Sequence, residues 1–226
     1  MNGSKALWIY GSYARGDNDR NSDLDLLAVS DQPFFVEISD LFPGAHLSLS
    51  SYSWREIERM VDYGSVFLHH VAREGRPLRF MPEADGCLRA LLKRLGPYRR
   101  TREDLRAFRE TVSDVRSALA GDCSPNFEMA VLASVLRHAS VLACFIGKDP
   151  AYQRDVVFAR LESILCLPLN PAHLQAIYSF RLSEERGAPL ERCATTSDVS
   201  RAADTIEQIL ERMEGLADDY EATMPA

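Results

Sequence analysis

The stretch that decides the fold is Gly11-Ser12-Tyr13-Ala14-Arg15-Gly16, followed by a polar loop and then Ser22-Asp23-Leu24-Asp25-Leu26-Leu27. Before it, Lys5 to Tyr10 is a short apolar, aromatic-rich run that reads as a strand. The glycine turn and helix start that follow lead through the loop into a second strand. Side chains alternate along a strand, so Asp23 and Asp25 share one face while Leu24 and Leu26 take the other. Two carboxylates side by side repel each other. They become favourable around a hard divalent cation such as Mg²⁺, which takes oxygen ligands and is commonly shared with substrate phosphates. Gly11 allows the backbone to approach a ligand closely, and Ser12 offers a hydroxyl and an N–H near a helix start, a place for phosphate oxygens. Together they predict chemistry on a nucleoside triphosphate.

Gly11-Ser12, ten residues (13 to 22) and then Asp23-x-Asp25 resembles the signature of the DNA polymerase beta-type nucleotidyltransferase superfamily. The wording Gly-Ser-x-Ala-Arg-Gly…Ser-Asp-x-Asp-Leu is most similar to its minimal and antibiotic nucleotidyltransferases. The resemblance implies Mg²⁺ on Asp23 and Asp25, ATP or another nucleoside triphosphate as substrate, phosphate contacts from Gly11 and Ser12, and catalytic roles for the two aspartates. It implies transfer of a nucleoside monophosphate, AMP from ATP, to a hydroxyl of a protein, an RNA end or a small molecule. Arg15 is a candidate for a terminal phosphate, its guanidinium fork being suited to one. Pairing with Asp17 or Asp19 is an equal alternative. Family members commonly carry a helix before the first strand, and its absence here suggests a trimmed domain or a misplaced start.

The superfamily usually places a third carboxylate on a neighbouring strand. Ala45 to Tyr52 alternates as such a strand, with His46, Ser48 and Ser50 on one face, yet no acid occurs between Asp40 and Glu56. This departure favours a second reading, a nucleotide-binding regulator or antitoxin that works through a protein partner without turnover. Two substitutes remain open: His46 as the base, or Glu128 from the second domain. The plainer readings are a structural histidine and a glutamate that stabilises a helix start.

Ser53 with Glu56 forms a capping box for a helix to Tyr63, and Gly64-Ser65 opens another that Gly75 ends. Adjacent His69 and His70 point about 100° apart on a helix and cannot chelate one ion together, so helix packing is their expected role. Phe34 to Leu41 fits a short helix ended by Pro43-Gly44. The fold class expected is α+β, a small mixed-sheet nucleotidyltransferase domain over residues 1–82 and an all-helical bundle over residues 83–226. Helices are expected at about Asp85 to Leu95, Arg102 to Ala120, Pro125 to Ile146, Gln153 to Leu165, Pro171 to Arg186 and Ser197 to Leu216. Leu136-Arg137-His138-Ala139 and Cys144-Phe145-Ile146-Gly147-Lys148 resemble HEPN-type helical domains, which implies toxin–antitoxin partnerships and a possible homodimer. Arg137 and His138 are adjacent and lack the spacing of the HEPN ribonuclease pair, so no RNase activity is predicted.

Composition narrows the rest. The net charge of −7 argues against a broad nucleic-acid footprint. Arg89, Lys93, Arg94, Arg99, Arg100, Arg102, Arg106 and Arg109 form one basic stretch, either a groove for a phosphate-bearing acceptor or, as helical charge runs more often are, a solvated face. Cys87, Cys123, Cys144, Cys166 and Cys193 are scattered and odd in number, which predicts reduced thiols and neither a disulfide framework nor a zinc site. The N-terminus has no secretory pattern, and Arg137 and His138 interrupt the longest apolar stretch, so a cytoplasmic protein with no membrane span is expected.

Overall fold

The structure, a computed structural model, describes residues 5–18, 22–32, 38, 40–43, 46–78 and 82–224. It forms two compact units, Met1–Arg99 and Arg100–Ala226. The short helix expected from Phe34 to Leu41 falls mostly outside the described residues, as do Asp19, Asn21 and Gly44.

The first unit is built on a mixed four-stranded sheet in the order β3-β2-β1-β4. These strands are β1 (Ala6–Tyr10), β2 (Leu24–Val29), β3 (Leu47–Tyr52) and the two-residue β4 (Arg76–Pro77). β1 pairs antiparallel with β2, setting Tyr10 opposite Asp25, and β2 pairs parallel with β3, setting Asp25 opposite Ser48. Alternation sorts the core into two faces. Trp8, Tyr10, Leu27 and Val29 pack under helices α2 (Trp54–Asp62), α3 (Val66–Glu74) and α4 (Pro82–Leu92), against Trp54, Ile57, Leu68, Val71, Ala84 and Leu88. Leu7, Leu24, Leu26 and Ala28 form the opposite face with Ile38.

Local chemistry sets the helix ends. The Ser53 side chain accepts from the Glu56 N–H while the Glu56 carboxylate accepts from the Ser53 N–H, the expected capping box. The turn between α2 and α3 needs Gly64, whose φ is 69°, and a Cβ there would collide with the Pro97 and Gly96 carbonyls.

The first unit runs on past residue 82 to Arg99. Leu88, Leu91 and Leu92 of α4 bury against the sheet, and the Trp8 indole donates to buried Asp85 at 3.0 Å. Beyond α4, a ring nitrogen of His69 donates to the Gly96 carbonyl at 3.0 Å and the Arg99 N–H donates to Tyr63 at 2.9 Å. A helical sequence pattern began at Asp85, but its apolar face belongs to the sheet.

The second unit is helical: α5 (Thr101–Ala118), α6 (Pro125–Ile146), α7 (Arg154–Leu165), α8 (Pro171–Arg186) and α9 (Thr196–Ala222). The other four all pack on α6, whose Leu132, Leu136, Ala139, Ala143 and Ile146 are fully or almost fully buried. Among the described residues α6 alone is long and apolar enough to cross a membrane, and burial accounts for that apolarity. All five cysteines are free thiols.

Candidate active site

β1 ends at Tyr10, and the chain turns at Gly11 with φ +70°, a left-handed conformation that suits glycine. The short helix α1 (Gly11–Arg15) follows, its N-terminus capped by no side chain, and Gly16 closes it with φ 83° and an N–H bond to the Ser12 carbonyl at 2.8 Å. This tight turn brings the start of β2 back beside the end of β1. The Asp25 carboxylate comes to lie against Gly11, so that a Cβ at position 11 would collide with Asp25 Oδ2. Asp23 precedes β2 by one residue, half-buried like Asp25 and Ser12, and alternation puts it on the Asp25 face. Gly11, Ser12, Asp23 and Asp25 therefore collect at one corner of the sheet, as the spacing predicts.

Residues 1–59 match the family model of the nucleotidyltransferase domain. This stretch is similar to that domain. The match is consistent with the polymerase beta type and covers β1, α1, β2, β3 and most of α2, the elements that form the corner. It supports nucleotidyl transfer in general. No curated protein matches the chain.

Within the matched stretch, the strand beside the aspartates is β3. Its residue opposite Asp25 is Ser48, and Ser50 lies opposite Leu27. His46 is exposed ahead of the strand, where its carbonyl accepts the Leu24 N–H at 2.8 Å. Among the described residues no three His, Cys, Asp or Glu side chains gather into a metal-binding group. The candidate positions for a third carboxylate that lie on this strand, Ser48 and Ser50, thus carry hydroxyls. Glu128 lies in the first turn of α6, its N–H bonded to the Ser124 carbonyl at 3.0 Å, and its carboxylate suits that helix start.

Asp23 and Asp25 supply hard oxygen donors, and the bare glycine lets the Asp25 carboxylate sit where any Cβ would otherwise stand. That donor set fits a divalent cation of the Mg²⁺ kind better than a thiolate- or imidazole-seeking metal.

Arg15 is held by two carboxylates. Its Nη1 meets Glu74 Oε2 at 2.5 Å and its Nε meets Asp17 at 3.1 Å. Glu74 also receives His70 Nε2 at 3.0 Å. Burial alone would raise the Glu74 carboxyl, but the hydrogen bonds and charges of His70 and Arg15 outweigh it and hold the group below its usual range. The His70 ring stands edge-on to Tyr10 with centroids 5.3 Å apart. Tyr10 shares a hydrogen bond of 3.2 Å with Ser50. Burial pushes Tyr10 up to about 12; the Ser50 bond opposes this and the Asp25 charge adds to it, so the phenol stays protonated at neutral pH.

Of these contacts, the Arg15–Asp17 pair is one of the two alternatives the sequence offered, whereas those with Glu74, His70 and Tyr10 were not foreseen. The one available signal was the four-residue spacing of His70 and Glu74, which puts both on one helix face. Half of the basic stretch has side-chain partners. Arg102 bridges to Asp218 and Glu221, Arg109 to Glu214 at 2.8 Å and Arg100 to Glu103 at 2.5 Å, while Arg89 stacks 5.1 Å from the Trp8 ring.

Proposed function

We propose that this protein transfers a nucleoside monophosphate, AMP from ATP, to an acceptor hydroxyl with release of pyrophosphate. The observation that carries this reading is the Asp25 carboxylate seated against the Gly11 turn, next to Ser12. Asp23 and Asp25 are the proposed ligands of Mg²⁺. When bound, the ion offsets the charge that develops on the phosphates during in-line displacement. Gly11 lets phosphate oxygens approach the backbone, and the Ser12 hydroxyl and N–H hold them. Arg15 exchanges a carboxylate partner for the terminal phosphate, where its fork makes a stronger, charge-assisted pair. The acceptor is a protein, an RNA end or a small hydroxyl-bearing molecule.

Ser48 opposite Asp25 favours a second reading, in which the same corner binds nucleotide and metal without turnover and the chain acts on a protein partner, as a regulator or antitoxin does. The helical unit then supplies the contact, either to that partner or to a second copy. One experiment separates the two. The protein is incubated with Mg²⁺ and α-labelled ATP, GTP, CTP or UTP in a lysate of its host, beside Asp23→Asn. Label reaching a protein, RNA or small molecule with the wild type alone supports transfer. Nucleotide binding that needs Asp23 but moves no label supports the regulator.

A further inference from the structure

The helical unit holds a partly buried cation, Arg137, that the proposed transfer does not use. Arg137 leaves α6 and reaches the segment before α7, where Nη2 donates to the Tyr152 carbonyl. Its Nη1 is buried with no hydrogen-bond partner, a condition shared among the described residues only by Thr101 Oγ1. A guanidinium keeps its proton inside a protein, so leaving its buried Nη1 without an acceptor, and its charge met by one carbonyl only, is unfavourable unless an anion joins it.

More positive charge surrounds it. Arg154, the first residue of α7, and Arg181 of α8 place their Cζ atoms 5.5 and 5.8 Å from the same Tyr178 ring. Burial, opposed by Tyr178 and reinforced by the charges of Arg181 and Arg154, holds Arg137 below its ordinary value. Two carboxylates lie nearby, each with a partner. Asp155 accepts from Arg154 at 3.0 Å and from Gln175 at 2.7 Å, and Glu185 accepts from Arg181 at 2.7 Å. The twelve-residue α7 begins in this cluster, and its N-cap Gln153 makes no side-chain capping bond. Its positive end adds to the field of the three arginines.

We infer that Arg137, Arg154 and Arg181, with the start of α7, bind a phosphate group. Arginine forks match phosphate oxygens, and a helix start offers N–H donors to the same anion. Arg154 and Arg181 retain 37% and 22% side-chain exposure, which opens the cluster to solvent. The site belongs to the helical unit alone, so it stands or falls independently of nucleotidyl transfer.

The test follows the arginine Nε–H resonances of the full-length protein by NMR during titration with inorganic phosphate, without Mg²⁺ and at constant ionic strength. The Arg137 signal, assigned by its loss in Arg137→Lys, is expected to shift saturably in the wild type. Arg154→Gln/Arg181→Gln, which alters only partly exposed side chains, is expected to abolish the shift and also provides the control if Arg137→Lys fails to fold. Repeating the titration with AMP tells a nucleotide phosphate from the free anion, and a saturable shift with either supports the site. An Arg137 signal that stays still with both, or moves equally in the double variant or with chloride, overturns the inference.

Discussion

The Asp25 carboxylate lies in the space that a side chain on Gly11 would need. Glycine at this position therefore answers two demands at once, a backbone with φ +70° and an acid pressed against the turn. Gly11→Ala should cost about 1–2 kcal/mol from the left-handed backbone alone. It should also displace the carboxylate and weaken divalent-cation binding. Urea unfolding and a Mn²⁺ titration measure the two effects, and a variant with wild-type cation affinity would show that Asp25 does not need its present position.

Asp23 and Asp25 are half-buried polar residues outside the apolar core. Asp23→Asn and Asp25→Asn keep size and shape and remove charge, so both should lose cation-dependent nucleotide binding while unfolding stability moves by less than about 1 kcal/mol. Calorimetry and urea curves on the same samples check this. Collapse of the fold in either variant would assign the aspartates a structural role.

Glu74 joins Arg15 and His70. Its folded-state carboxyl lies below the ordinary value of 4.5, so its contribution is present above that value and disappears as pH falls through the folded one. Glu74→Gln should be less stable than wild type at pH 7, with the gap narrowing as pH drops below 4.5. A pH-independent gap would mean that the pair contributes through packing. If Arg15 serves the nucleotide, Glu74→Gln should also raise KM for the triphosphate more than it changes kcat.

The helix α4 tests where the first unit ends. Leu88 is fully buried against the sheet, and Leu88→Ala should destabilise that unit by about 2–5 kcal/mol. Its unfolding can be followed by the fluorescence of Trp8 and Trp54, both of which lie in the same core. Unfolding of the tryptophan-bearing unit at unchanged denaturant concentration would place α4 outside it.

Arg116 of α5 reaches Asp204 at 2.6 Å and Glu207 at 2.7 Å on α9, beside the pairs of Arg102 and Arg109. Such exposed pairs are screened by water and salt, so Arg116→Met should change stability by no more than about 1 kcal/mol, and by less in 1 M salt. Thermal unfolding at two salt concentrations measures it.

The corner of the sheet was legible because strand alternation, the glycine turn and the Asp-x-Asp spacing are all local. Each fixes geometry within a few residues, so Gly11, Ser12, Asp23 and Asp25 could be placed together without tertiary information. The capping box of Ser53 and Glu56 and the long apolar face of α6 were legible for the same reason. What depended on distant partners was not. Helical periodicity in α4 could not say that its leucines pack on Trp8, and the basic stretch gave no sign that α9 carries the acids it pairs with. The clamp of Glu74 on Arg15 spans 59 positions in the chain. The two-residue β4 is too short for any pattern.

The most direct test of the account is binding of Mn²⁺–ATP, followed by electron paramagnetic resonance, to the wild type and to Asp23→Asn/Asp25→Asn. The account predicts a saturable one-to-one complex in the wild type that the double variant does not form. Equal binding by both proteins would contradict it, because the two carboxylates at the Gly11 turn would then have no part in holding metal and nucleotide.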